Sequence, residues 1–164
     1  MRPCAGVKLR RGRRTDLDGL DALERGIFNS RLFSGHLLSR PSFRRLLASP
    51  SATFIIAEAG ALAGYVLVLY RANSGAARMY SIGVAAEFRR RGLARMLVAA
   101  AEKDAIRRRR KVMRLEVRSD SRGTIALYEA AGYRCIGRAP DYYGGRVDAL
   151  RLEKAFGKEP HHRS

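Results

Sequence analysis

The tightest constraint on the fold lies in residues 52–71. Two apolar runs, ATFIIAE and LAGYVLVLYR, flank the small tripeptide Ala59-Gly60-Ala61. Runs rich in Val, Ile, Tyr and Phe on either side of so short a break read as a β-hairpin. Neither is long enough to cross a bilayer as a helix, which takes roughly 20 apolar residues. Further strands are predicted at GVKLRR (6–11), ARMYSIGV (77–84), VMRLEVR (112–118), YRCIGRA (133–139) and VDALRLEK (147–154).

Helical spacing separates these strands. Leu17, Leu20, Leu23 and Ile27 repeat at helical intervals in TDLDGLDALERGIF, with Thr15 the expected N-cap and Asp18 three residues on. Ser39 and Pro41 open a second helix, SFRRLLAS. A long helix runs from Gly92 to about Arg108, with Leu93, Met96, Leu97, Ala100, Ala101 and Ala105 as its apolar face. A shorter one lies in SDSRGTIALYEAAGY, capped by Asp120 or Ser121 and stopped by Gly132. Phe28–Leu38 reads as loop or broken helix, PDYYGGR as a turn. Residues 1–156 are predicted to form one mixed α/β (α+β) domain, and 157–164 a frayed tail.

Lys and Arg number 33 against 15 Asp and Glu, a formal charge of +18. Such a balance favours anionic partners: phosphate-bearing cofactors, RNA, ribosomes or acidic peptides. The start, MRPCAGVKLRRGRR, has charge but no apolar segment after it and is not read as a secretory signal. Cys4 and Cys135 form no CxxC and have no histidine at zinc-ligand spacing, so no metal is expected. The expectation is two reduced thiols in a cytoplasmic protein. The run IRRRRK (106–111) reads as a solvated helix end, or as an RNA contact.

The chemistry concentrates in FRRRGLARML (88–97). A helix beginning after Arg91 presents free N–H groups and a dipole that favours an anion. Gly92 lets the backbone approach a ligand, and Arg89, Arg90, Arg91 and Arg95 add donors for phosphate oxygens. The stretch is not a Walker loop, because the second glycine and the Lys-Ser/Thr pair are missing. Strand, loop and helix of this composition read as a pyrophosphate site.

Arg89-x-x-Gly92-x-Ala94 resembles the R/Q-x-x-G-x-G/A motif of the GCN5-related N-acetyltransferases. SIGV before it, RLEVR after it, then IALYEAAGY and DYYGGRVDALRLEK extend the resemblance over most of the second half. Within that superfamily these segments look most like the RimI-type ribosomal-protein N-terminal alanine acetyltransferases. The resemblance implies a mostly antiparallel sheet of about seven strands, with the fourth and fifth splayed, and about four helices. It implies acetyl-CoA as cosubstrate. The main chain of Ile82, Gly83 and Val84 would hold the pantetheine arm, with the Val84 N–H at the thioester oxygen. Arg89, Arg90, Arg91, Gly92, Leu93, Ala94 and Arg95 would hold the pyrophosphate.

It further implies Glu116 as general base and Tyr128 as general acid, a pairing that a fold placing them on opposite sides of the strand gap would exclude. The alternatives are a solvated sheet-face glutamate and a core tyrosine. Tyr142 and Tyr143 would cover the acceptor's first residues, unless one folds onto the core. Ser121 stands where the family often has an asparagine that contacts the pantetheine, and Asp120 precedes it. The implied reaction is direct transfer in a ternary complex to the N-terminus of a protein or peptide, a ribosomal protein among the candidates. A lysine side chain or small amine is the alternative acceptor. A basic RNA- or ribosome-binding module without activity is the alternative of another class. Nucleic acid is the less favoured partner, and no membrane partner is expected. The chain is expected as a monomer or homodimer.

Overall fold

The computed structural model describes residues 6–28, 38–142 and 147–157. The strands are β1 (Lys8–Arg11), β2 (Ala52–Glu58), β3 (Leu62–Tyr70), β4 (Ala76–Val84), β5 (Val112–Arg118), β6 (Arg134–Ala139) and β7 (Ala149–Ala155). The helices are α1 (Leu17–Phe28), α2 (Arg40–Leu47), α3 (Leu93–Arg107) and α4 (Arg122–Ala130). All seven strands join one sheet in the order β1-β2-β3-β4-β5-β7-β6. Only β4 and β5 pair in parallel. The predicted fold class is thus observed. The tail from 158 on, and most of the Phe28–Leu38 segment, lie outside the described residues.

Strand parity divides the core in two. Val66, Val68, Ala77, Met79, Met113, Leu115 and Val117 face α3 and α4, and pack with Leu97, Ala101, Tyr128 and Tyr133. Tyr65, Leu67, Phe54 and Ile56 point to the opposite face, under α1 and α2, where they meet Leu20 and Phe43. The buried stripe of α3 is Leu93, Leu97, Val98, Ala101, Asp104 and Ala105. Met96 and Ala100, expected on that stripe, are only half-buried, because the stripe turns towards Val98.

Three local expectations change. Thr15 does not cap α1. A short 3-10 turn, Arg14–Asp16, precedes the helix, and the Asp16 carboxylate accepts the Arg13 N–H at 2.7 Å. Arg10 donates two further bonds to Asp16 and holds its carboxyl below the usual range. At α4, Ser121 occupies the N-cap position without a side-chain cap bond, and the Asp120 carboxylate is taken by Arg118. In the 106–111 run only part is solvated. Arg108 lies 4.3 Å from the centre of the Tyr70 ring and donates to Thr53 Oγ1 at 2.8 Å, while Arg110 flanks the same ring.

The feature that positions the site is a divergence. β4 and β5 pair at three positions only, ending at Arg78↔Arg114. Just beyond, Met79 pairs with Val68 and Ser81 with Leu67, leaving Tyr80 as an extra residue in β4. A bulge bends its strand and increases the twist. The rest of β4 therefore leaves β5, and a gap opens between Ser81–Val84 and Leu115–Arg118.

Candidate active site

One side of the gap is built by chain-local geometry. Ala85 donates its N–H to Ala63 of β3 at 2.8 Å. Main-chain groups alternate along a strand, so Ile82 and Val84 turn theirs into the gap. Gly83 turns its carbonyl to β3, close against Gly64. Past Val84 the chain makes a short 3-10 turn, and both Arg90 (φ 63°) and Gly92 (φ 80°) are left-handed. Gly92 carries that conformation without a Cβ clash and stands as the N-cap of α3 with no side chain to fill it. The first N–H groups of α3 are left open.

These groups border a pocket of about 370 Å³. Val84, Arg89, Arg90, Gly92, Leu93, Ala94 and Arg95 line it, all of them singled out by sequence. Gly123 and Leu127 of α4 close it from the other side, and sequence reasoning missed both. Arg91 does not line the pocket; its guanidinium stacks on Phe88 at 5.6 Å. Ser121 does not line it either. Three arginines, an open helix N-terminus and apolar walls suit a long ligand with a pyrophosphate and an apolar arm.

The other face of the gap is built by contacts distant in sequence. Glu116 is 21% exposed and faces the α1/α2 side. Arg78, from β4, donates to Glu116 Oε2 through Nε at 3.2 Å and through a terminal nitrogen at 3.1 Å. That nitrogen also donates to the Tyr142 hydroxyl at 3.2 Å. Burial works against the Arg78 charge, but Glu116 and Tyr142 outweigh it and hold the guanidinium above its ordinary pKa. Tyr142 therefore stands beside the Arg78–Glu116 pair. Tyr143 lies outside the described residues.

Beside this pair is a buried polar chain. Glu24 of α1 is 1% exposed and accepts from the Tyr65 hydroxyl at 2.5 Å. Tyr65 in turn meets Ser81 Oγ at 2.6 Å. Burial raises the Glu24 pKa, and burial together with that carboxylate pushes Tyr65 well up. Sequence reading named neither Arg78, Glu24, Tyr65 nor Ser81. An isolated Glu between Leu20 and Ile27 on an apolar face was the one available hint.

Tyr128 is 4% exposed, edge-on to Tyr133 at 5.4 Å, with its hydroxyl 3.7 Å from Met79 Sδ. It reaches β4 from the α3/α4 side. Glu116 and Tyr128 thus lie on opposite faces of the sheet, the placement named above as excluding a base–acid pair. The reason is parity: Leu115 and Val117 turn inward to α4, so Glu116 turns outward. A gap open through the sheet is reached from both faces, so that requirement does not hold. Among the described residues no group of three or more His, Cys, Asp or Glu is placed to hold a metal ion. No helix there is long and apolar enough to cross a membrane.

Comparison with known proteins bears on this geometry. Residues 22–133 match the family model described as the acetyltransferase (GNAT) family. The N-alpha-acetyltransferase RimI of Mycobacterium tuberculosis is 32% identical over 120 residues, 71% of this chain and 74% of that protein. An acetyltransferase of Yersinia enterocolitica is 37% identical over 81 residues, and the chain spans only 56% of its length. Among solved structures, a ribosomal-protein alanine N-acetyltransferase from Escherichia coli superposes with a TM-score of 0.81 at 20% identity, covering 96% of this chain and 99% of that one. Arabidopsis thaliana NAA60, solved with a bisubstrate analogue, gives 0.77 at 19% identity, covering 91% and 97%. At such identities the structural likeness speaks for the fold alone, while the family match over residues 22–133 and the RimI relative show that the chain belongs to the GNAT acetyltransferase family.

Proposed function

We propose that the chain moves an acetyl group from acetyl-CoA directly to the α-amine of a protein or peptide N-terminus. The observation that carries this reading is the carboxylate of Glu116 on the α1/α2 face of the splay, held among the described residues through Oε2 alone. Its other oxygen is left to meet an incoming amine.

The cosubstrate enters from the α3/α4 face. Its pyrophosphate lies on the open N–H groups of α3 among Arg89, Arg90 and Arg95, and its pantetheine arm runs along Ile82 and Val84. The Val84 N–H meets the thioester oxygen, where negative charge grows during attack. The acceptor enters from the α1/α2 face beneath Tyr142. The attacking amine must be neutral. A peptide α-amine has a pKa near ~8 and a lysine near ~10.4, so the α-amine is the easier nucleophile at neutral pH. Nitrogen attacks the acetyl carbonyl as its proton passes to Glu116, directly or through water. The C–S bond then breaks and the thiolate departs to the opposite face, where the Tyr128 O–H can protonate it. The amine adds directly to the thioester carbonyl, and collapse of the tetrahedral intermediate expels the thiolate, so the acetyl group passes without a covalent enzyme intermediate.

Transfer from acetyl-CoA to a mixed peptide set, read by tandem mass spectrometry, tests the reading. Free α-amines should be labelled, and N-blocked peptides with internal lysines should not. Label on lysines alone would overturn the acceptor assignment. Tyr128→Phe should slow the chemical step about 100-fold and leave CoA affinity unchanged. Equal losses in both would make Tyr128 a packing residue only.

A further inference from the structure

The sheet face that continues outward from Glu116 carries an ordered array of charge. No described helix lies over β5, β7 and β6 on this face, since α1 packs on β3 and β4, and α2 on β2. Two cross-strand rows stand on it. In the first, Glu116 is directly opposite Arg151. In the second, Glu153 is paired with Arg114 on one side and Arg134 on the other. Each row holds one carboxylate, and each carboxylate is already engaged. Arg78 bonds Glu116, and Arg114 Nε donates to Glu153 at 2.7 Å.

Two exposed guanidinium groups are left over, Arg151 and Arg134, with no ion-pair partner among the described residues. They are diagonal neighbours across β7 and β6, a relation that sets two residues about 7–8 Å apart and their β-carbons somewhat closer. Gly137 is opposite Arg151 and leaves the space beside it open. Same-face side chains of an extended peptide repeat at about 6.6–6.8 Å, so the two cations match carboxylates two residues apart.

We propose that this face is a track for the acceptor chain beyond its first residues, and that Arg151 and Arg134 select acidic side chains there. The inference rests on the N-terminal reading above, because the track begins where that reading puts the α-amine. Arg151 is one strand from Glu116, about 5 Å, and Arg134 is two strands and one row away, about 12 Å. An extended chain advances about 3.3 Å per residue, so the acidic positions are the third to the fifth. The preferred acceptor is thus a polypeptide with a free N-terminus followed within a few residues by Asp or Glu.

The test is steady-state transfer to three peptides that share their first two residues and carry Asp, Gln or Lys at positions three and five. At low ionic strength the Asp peptide should show a KM about tenfold below the Gln peptide, with equal kcat, and the gap should shrink with salt. Arg134→Gln with Arg151→Gln should erase the gap while keeping turnover of the Gln peptide. Arg134→Glu with Arg151→Glu should turn the preference to the Lys peptide. Equal KM values for the three peptides, or an Asp preference that survives in the double Gln variant, would overturn the proposal. Inhibition by a short single-stranded RNA that the Gln variant relieves, with no Asp preference, would reassign the face to nucleic acid and overturn it as well. Transfer to the Gln peptide upholds the N-terminal reading whatever becomes of the track. If no free-amine peptide is acetylated, that reading fails and the track falls with it.

Discussion

The two sides of the strand gap are built in different ways. The side proposed for the cofactor comes almost entirely from one continuous segment, Val84 to Arg95, closed by α4. The side proposed for the acceptor is assembled from α1, β3, β4, β5 and the β6–β7 turn, through bonds that span 38 residues between Arg78 and Glu116, 41 between Glu24 and Tyr65 and 64 between Arg78 and Tyr142. A site for an invariant ligand can be written in one loop, because a helix terminus and a few arginines suffice to hold a pyrophosphate. A site that must recognise a variable acceptor draws each wall from a different element, and each wall can change independently.

The largest expected effect separates the two sides cleanly. Glu116→Gln removes the proton acceptor but keeps the shape and the contact with Arg78. Turnover should fall about 100-fold or more, the usual scale for a positioned general base. The dissociation constant for CoA, read by calorimetry, should not move. Weakened CoA binding in this variant would mean that the two sides are coupled through the sheet.

Arg78 sharpens the acceptor side. Its two bonds fix Glu116 and its third reaches Tyr142, so it is a positioning residue. Arg78→Met should lower kcat about tenfold to thirtyfold, on the scale of a lost charge-assisted bond. Arg78→Lys should recover part of that, since it keeps the charge but not the fork. In a Glu116→Gln background the Arg78 substitution should cost little more. Equal costs in both backgrounds would show that Arg78 acts independently of Glu116.

The cofactor side has its own probe. Gly92 sits at φ 80°, where an L side chain costs roughly 1–2 kcal/mol. Gly92→Ala should weaken CoA binding by about fivefold to tenfold and leave the KM of the peptide unchanged. A raised peptide KM with intact CoA binding would invert the assignment of the two faces.

This asymmetry also explains what the sequence disclosed. Strand order and the helix after Arg91 were legible because period-2 and helical patterns are local. The arginine–glycine loop was legible because its chemistry is contiguous. Arg78 was hidden, since it stands among alternating residues of a strand and meets Glu116 only after the chain folds back. Tyr128 was visible as a motif residue, but its face was not, because parity relative to α4 depends on the sheet being assembled. Arg108 and Arg110 read as a solvated end because nothing near them in sequence reveals Tyr70, the ring they flank.

The smallest expected effect concerns the buried chain behind the acceptor side. Burial raises the Glu24 pKa above its ordinary 4.5, while its bonds from Tyr65 and the Leu38 N–H partly offset that rise. The folded protein therefore holds this proton more tightly than the unfolded chain does. Stability from this source is fully present below the ordinary pKa and is lost as pH rises through the raised one. Glu24→Gln keeps an acceptor for Tyr65 and has no proton to lose. Relative to the unsubstituted protein, its melting temperature should rise by about 2–4 °C between acid and neutral pH. Asp16 cannot mimic this: its pKa is lowered, so its contribution is lost only as pH falls through a value under 3.8. A difference between Glu24→Gln and the parent that stays constant with pH would show that Glu24 titrates alike in both states. A difference that grows with pH would mean that the Glu24–Tyr65–Ser81 chain is kept at some cost to stability. That cost falls on the face proposed to receive the acceptor, since Ser81 is the residue at which the chain meets the gap.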